Sequence, residues 1–378
     1  MLTRRHAVRS LLALAAGSPL WPQQDDDVLG PVNLHEFEET ARRKLHKLAY
    51  DFIAGGVEDE LTLRANREAF ARVFLVPRVM VDVSHVDPSV ELLGMKLDSP
   101  VIIAPTGGKN LVLPGADEVV AEAALNSKTP ICSATGVQKA LSEGKPLLWW
   151  SNTTGQATRQ AAAGYARRVE DQGGKGIVVT VDNPYQSNRD RNNRNRFDYG
   201  YMQSGVPKPG ETVKPRNPAR AAMWQPHTTN LTWDYIDWVR GATSLPVILK
   251  GILAPEDARL AVERGASAIS VSNHGGRQLD GVIASLEALP RVVDAVGGKI
   301  PVLMDGGIRR GSDVLKALAL GAQAILTGRP PLWGLGAFGQ AGVERVLWML
   351  SAEFKLSMAL AGVARVSAID RRLVTRVP

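Results

Sequence analysis

Eight short runs rich in Val, Ile and Leu recur through the chain, at 101–105 (Val-Ile-Ile-Ala-Pro), 130–133, 147–151, 176–182, 246–250, 268–272, 301–305 and 324–328. Each is nearly continuous in its apolar character, the pattern of a strand buried on both faces. Between most of them lie segments of helical periodicity, such as Ala254 to Arg264 and Gly311 to Leu320, the latter closed by Gly321. Buried parallel strands need helices over their faces, so eight such units predict an α/β fold of (β/α)8 TIM-barrel type. A chain of 378 residues with 44% hydrophobic content suffices for one large core, and the barrel domain is expected over 33–370. Residues 33–100 read as an N-terminal helical extension with short strands. The stretch 183–245, rich in Arg, Asn, Pro and Gly, is far longer than an ordinary barrel loop and predicts an active-site lid or insertion after strand 4.

Each run leads into a residue type that core packing does not require: Thr106, Ser133, Asn152, Asp182, Lys250, His274, Asp305 and Arg329. The C-terminal ends of barrel strands face the active site, so these residues form a candidate ring of functional groups. Within it, Ser272-Asn273-His274-Gly275-Gly276-Arg277 sets an imidazole for proton exchange three residues from a guanidinium that holds anions. Thr106 and Ser133 fit local hydrogen bonding equally well. Gly306-Gly307-Ile308-Arg309 after run seven and Gly328-Arg329 after run eight suit a phosphate, since glycine turns let backbone N–H groups approach and arginine supplies charge. The literal GxGxxG at Gly334–Gly339 follows Pro330-Pro331, leads to no strand, and is not read as a dinucleotide fingerprint.

Composition excludes several classes. Cys132 is the only cysteine, which leaves no disulfide and no cysteine-based metal site. The net charge of +7 is dispersed, without a basic helix or aromatic-interleaved stripe, so no nucleic-acid partner is expected and a small anionic ligand is. Residues 1–24 carry Arg4-Arg5, a short apolar segment and small residues before Pro19. This has the form of a twin-arginine export signal to the periplasm, with Ala7 in place of the usual aromatic; a cytoplasmic enzyme with a basic N-terminus is the alternative. No later run approaches the roughly 20 apolar residues of a transmembrane helix.

Ser272 to Asp280, Leu249-Lys250-Gly251, Thr180-Val181-Asp182, Asp305 to Gly311 and Gly328-Arg329-Pro330 together resemble the FMN-dependent α-hydroxy-acid oxidase and dehydrogenase family over roughly 33–370. The resemblance implies an oxidoreductase with FMN as cofactor. It makes His274 the active-site base, Arg277 a ligand of the substrate carboxylate, Arg189 a second guanidinium nearby, and Asp182 the carboxylate that stabilises protonated His274. Lys250 matches the lysine beside flavin N1. Ala104, Pro105, Thr106, Ser133 and Thr180 match positions along the isoalloxazine ring, and Ser272 belongs with the cofactor-binding residues. Asp305, Gly307, Arg309, Gly328 and Arg329 match the ribityl and phosphate site. Family members are often tetrameric, so a homotetramer is among the expectations.

The departures bear on the substrate. Phe52, in Tyr50-Asp51-Phe52-Ile53-Ala54-Gly55-Gly56, stands where the family usually has a substrate-binding tyrosine. The family's glutamine and tyrosine after run three fall at Asn152 and Thr154; Asn152 could replace the flavin contact, whereas Thr154 cannot reach as a tyrosine does. The expected substrate is therefore not a simple small acid such as glycolate. Candidates are a bulkier hydroxy acid, a modified peptide or an amine. A non-catalytic flavin-binding protein is a further reading, against which the retention of His274, Asp182, Arg189 and Arg277 speaks. Gly107 replaces the alanine of many oxidases, and the electron acceptor stays open among oxygen, a quinone and a carrier protein.

Overall fold

The computed structural model describes residues 27–206 and 226–376. All eight apolar runs become parallel strands: β1 (Val101–Ile103), β2 (Ile131–Cys132), β3 (Trp149–Thr153), β4 (Gly176–Thr180), β5 (Val247–Ile252), β6 (Ala268–Val271), β7 (Val302–Asp305) and β8 (Ala324–Thr327). They close into one barrel, with β8 returning to pair with β1 through Ile325–Val101 and Leu326–Ile102. The third strand begins two residues later than its apolar run, because Leu147 is still held in a turn on the Lys145 carbonyl.

The two faces of each strand bury against different partners. Outward residues such as Ile103, Trp149, Val179, Leu249 and Met304 join the helices in the larger apolar cluster. Inward residues such as Ile102, Cys132, Trp150, Val178, Ile248 and Leu303 make a second, smaller cluster inside the barrel. That inner cluster takes in Leu92, Met95 and Leu97 of a hairpin, Val90–Leu92 with Met95–Leu97, which leads directly into β1 and plugs the N-terminal mouth. Further along β3 to β7 the inward positions turn polar, reaching Asn152, Thr180, Lys250, Ser272 and Asp305 at the C-terminal end.

Helices Leu34–Lys44, Lys47–Ala54 and Leu61–Ala71 precede the hairpin. Asn33 starts the first, its side chain accepting from His35 N (2.9 Å) and Glu36 N (3.0 Å), which satisfies orphan donors of the first turn. The C-terminal helix Arg329–Leu360 is two helices meeting at Phe338 and Gly339, the latter at φ +61°. The glycines read against a dinucleotide role pack helices instead. A Cβ on Gly334 would lie 2.4 Å from the Gly342 carbonyl oxygen, and one on Gly336 would lie 2.8 Å from Leu45 Cδ1.

In the long connection after β4, helices Asp190–Arg194 and Tyr201–Ser204 lie in sequence between the two partners of a bridge, Tyr185 and Pro226. Helix Asp234–Arg240 then packs on helix Arg159–Asp171 and β5 as a barrel helix. The segment read as an export signal, 1–24, lies outside the described residues. Among the described residues, no helix is long and apolar enough to cross a membrane.

Candidate active site

The strand alternation that buries Ile248 inside the barrel also points Lys250 inward, one layer nearer the C-terminal mouth. Lys250 is 4% exposed; its Nζ donates to Ser272 Oγ at 2.9 Å and lies 3.1 Å from Asp305 Oδ2, while Ser272 Oγ donates to Asp305 Oδ1 at 2.8 Å. Three consecutive strand ends are thus joined by one buried polar triad. Burial alone would strip the ammonium of its proton, but Asp305 and then Asp182 outweigh it, and the Lys250 pKa is raised. On the adjoining strands Thr180 Oγ1 donates to Asn152 Oδ1 at 2.9 Å. Ser133 Oγ donates to the Thr135 carbonyl at 2.8 Å, the local turn that is one of its two readings.

His274 leaves β6 in the left-handed region, at φ +58°, a conformation uncommon for a residue with a Cβ and typical of functional sites. Its Nδ1 lies 2.9 Å from Asp182 Oδ1, and its N–H donates to Ser272 Oγ at 3.0 Å. Asp182 has room because residue 251 is glycine; a Cβ there would come within 2.7 Å of Asp182 Cβ. Burial pushes His274 down and Asp182 pulls it partly back, so the imidazole titrates below its ordinary value and is neutral at pH 7. Burial pushes Asp182 up, yet the charge of His274, its hydrogen bond and Lys250 together bring it below the usual carboxylate value. An ionised Asp182 assigns the proton to Nδ1 and leaves Nε2 as a bare acceptor.

Two residues that no local pattern marks hold this turn. Asn66, on helix Leu61–Ala71, and Asn273 exchange reciprocal side-chain hydrogen bonds of 2.8 Å each, both buried. Asn273 also donates to the Ile283 carbonyl and accepts from Gly276 N, and Asn66 accepts from Ser285 N. Every group of this amide pair is thereby satisfied inside the protein, which suits a rigid support for His274.

Arg277 and Arg329 converge on the last turn of helix Lys47–Ala54. Arg277 Nη1 donates to the carbonyls of Phe52 (2.6 Å), Ile53 (3.3 Å) and Gly55 (3.0 Å). Arg329 donates to Ile53 (2.8 Å) and Gly55 (3.0 Å) from the same turn and to Gly275 (2.9 Å). The Phe52 ring has two guanidiniums near it, Arg277 Cζ at 5.0 Å and Arg189 Cζ at 5.7 Å from its centroid. Arg189 is steadied by its Nε–H to Ser187 Oγ at 2.9 Å. Among the described residues no carboxylate forms an ion pair with Arg189, Arg277, Arg309 or Arg329.

The segment after β4 closes over Phe52. Arg191 Nη2 pairs with Glu60 Oε2 at 2.6 Å and Glu58 N donates to the Asn188 carbonyl at 2.9 Å, fastening the segment to the helical extension. Phe197 stacks on Phe52 with centroids 4.9 Å apart, and Tyr199 meets the same ring edge-on at 6.4 Å. Met202 lies over Gly107, its Cε 3.1 Å from where a Cβ would stand. Thr154, by contrast, has no hydrogen bond to His274, Arg277 or Arg189.

Behind this pocket, Gly306 and Gly307 take φ of +101° and +84°, and a Cβ on Gly307 would collide with the Asn66 carbonyl oxygen at 2.2 Å. Arg309 is 8% exposed, and burial lowers it below the arginine range. Burial, then repulsion from Arg309, pulls Arg329 down to about 9. Gly328 brings the ends of β8 and β1 together, a Cβ on it standing 3.4 Å from Thr106 Cγ2 and 3.7 Å from Ala104 Cβ, with Pro105 between those two residues.

Buried guanidiniums without carboxylate partners, beside glycine turns that a side chain would fill, fit a phosphate. The buried Lys250–Ser272–Asp305 triad, with its cation at the strand ends, fits a polar ring lying across them. The residues present therefore fit FMN, with Lys250, Ser272, Thr180 and Asn152 toward the ring and Arg309, Arg329, Gly307 and Gly328 toward the phosphate.

Comparison with known proteins agrees. The model of the FMN-dependent dehydrogenase family matches residues 41–376. A peroxisomal (S)-2-hydroxy-acid oxidase of Oryza sativa subsp. japonica is 42% identical over 352 residues, 90% of this chain and 95% of that one. An L-lactate oxidase of Nostoc sp. is 41% identical over 91% of this chain and 98% of its own length, and 2-hydroxyacid oxidase 2 of Homo sapiens is 43% identical with the same coverage. Among solved structures, mandelate oxidase with 3,3-difluoro-2-hydroxy-3-phenylpropionic acid superposes with a TM-score of 0.81 at 38% identity, over 92% of this chain and 100% of that one.

Proposed function

The chain belongs to the FMN-dependent dehydrogenase family, and on that footing we propose that it oxidises an α-hydroxy acid to the 2-oxo acid, with a side chain bulkier than that of glycolate. The observation that carries this is the pairing of a neutral, carboxylate-backed imidazole, His274 with Asp182 at 2.9 Å, with two guanidiniums that lack a carboxylate partner. FMN, when bound, would supply the acceptor for the two electrons that leave as the α-hydrogen is lost. Arg277 and Arg189 hold the substrate carboxylate, fixing the hydroxyl toward His274 Nε2. His274 takes the hydroxyl proton, and Asp182 stabilises the imidazolium that forms. Lys250 sets a fixed positive charge at the strand ends, where negative charge would otherwise be buried uncompensated.

Phe52, Phe197, Met202 and Gly107 give the pocket an apolar wall, which supports an aryl or long alkyl side chain. Five of the solved mandelate oxidase structures hold phenyl-bearing acids, among them (S)-2-phenylpropionate and (S)-mandelic acid. Oxygen is the proposed electron acceptor, supported by the relatives named as oxidases. Export through the Arg4-Arg5 segment is likewise proposed; cell fractionation of the protein and of its Arg4→Lys, Arg5→Lys form tests it.

The test of function is anaerobic titration of the purified yellow protein with hydroxy acids of increasing size. Bleaching by mandelate or 2-hydroxyoctanoate at concentrations where glycolate has no effect is expected. Absence of bound or reconstitutable flavin would overturn the reading, and equal response to glycolate would overturn the size preference. Oxygen uptake in the same assay checks the acceptor.

A further inference from the structure

Phe52 removes a hydroxyl from the wall where the substrate carboxylate is held, yet both guanidiniums remain beside its ring at 5.0 Å and 5.7 Å. All three hydrogen bonds of Arg277 leave from Nη1 to backbone carbonyls, so its Nε and Nη2 are left for a carboxylate seated there, whose roughly four acceptor sites have room for a phenol donor beside the guanidiniums. The segment after β4 brings a phenol to the same place. Tyr199 meets Phe52 edge-on at 6.4 Å and Phe197 edge-on at 5.3 Å, so its ring is wedged against the stack that lies beside the guanidiniums. Its hydroxyl is close enough to interact electrostatically with both Arg189 and Arg277. Among the described residues, the one side-chain hydrogen bond to the hydroxyl comes from Asn192 Nδ2, which donates at 3.5 Å, the limit of a hydrogen bond, so the O–H proton is left to turn to a stronger acceptor.

We propose that Tyr199 is a substrate-binding residue whose hydroxyl donates to the substrate carboxylate in place of the phenol that Phe52 lacks. The proposal rests on the hydroxy-acid reading above. The phenol has changed elements, from the helical extension to the segment after β4, while the guanidiniums it serves have stayed. That segment is fastened to the helical extension through Arg191–Glu60, which keeps the phenol beside the guanidiniums. A hydrogen bond to a charged group contributes more than a neutral one.

The test uses the holoenzyme and three variants: Tyr199→Phe, Phe52→Tyr, and both together. Phenylalanine at 199 keeps the ring contacts, so flavin content and Tm should match wild type. Two readouts are taken: the Kd of benzoylformate, from its perturbation of the oxidised flavin spectrum, and kcat/KM for mandelate. Tyr199→Phe is expected to weaken Kd and lower kcat/KM by about tenfold or more. Adding Phe52→Tyr should restore most of both, since it returns a hydroxyl to the same carboxylate. An unchanged Kd in Tyr199→Phe overturns the proposal, as does a loss that Phe52→Tyr does not repair, because the role would then be packing. If the wild-type spectrum responds to no 2-oxo or 2-hydroxy acid at all, the hydroxy-acid reading itself falls and this inference falls with it.

Discussion

The two ends of the barrel are made from the same eight strands and are chemically opposite. At the N-terminal mouth, Leu92, Met95 and Leu97 of the hairpin complete an apolar plug with residues such as Ile102 and Leu303. At the C-terminal mouth the inward positions are Asn152, Thr180, Lys250, Ser272 and Asp305, tied into one polar pair and a triad. A packed plug tolerates loss of a group in proportion to the cavity left behind. A buried polar network does not, because each partner removed strands another. Damage at the plug should therefore appear as lost stability alone, and at the other end as lost chemistry, with stability lost as well where a buried charge is stranded.

The sharpest division is expected from His274→Ala. Turnover of hydroxy acids should fall by about 10⁴-fold with flavin still bound, measured by stopped-flow reduction; retained reduction would remove His274 as the base. Lys250→Met comes next. It leaves Asp305 buried without its cation at a cost of roughly 3–5 kcal/mol, seen as lower Tm and weaker FMN retention, and shows that the polar end also carries stability where charges are paired. Asp182→Asn should lower kcat/KM by about 10²-fold. The wild-type acid limb of kcat/KM should lie below pH 6.5, since His274 must be neutral to act and its pKa is lowered. Asp182 raises that pKa, so its loss should shift the limb to still lower pH, in a pH profile. The smallest kinetic effect belongs to Leu97→Ala, which should cost roughly 2–5 kcal/mol in denaturant unfolding and leave kcat/KM unchanged.

The strands were legible because burial on both faces leaves a continuous apolar run, and their polar termini stood out against it. His274, Asp182, Lys250, Ser272 and Asp305 meet in space as the pattern implies. What escaped reading depends on contacts between distant parts of the chain. Nothing near Asn66 signals a partner at Asn273, and nothing near Phe197 or Tyr199 signals Phe52. The hairpin looked like any short strand pair until its three apolar side chains were seen inside the barrel. The glycines from Gly334 onward have a purpose that only the crossing of two helices reveals.

The carbonyls at the end of helix Lys47–Ala54 bear on where this protein can be cut. Arg277 and Arg329 both donate hydrogen bonds to Ile53 and Gly55, so the guanidiniums proposed for the substrate and the phosphate share one anchor that lies before the first barrel strand. An excised barrel beginning at β1 would leave both arginines facing each other without those acceptors. The eight-strand repeat is thus a smaller unit than the one that can stand alone, and any shortened or permuted form for engineering has to keep residues 47–55 joined to the barrel.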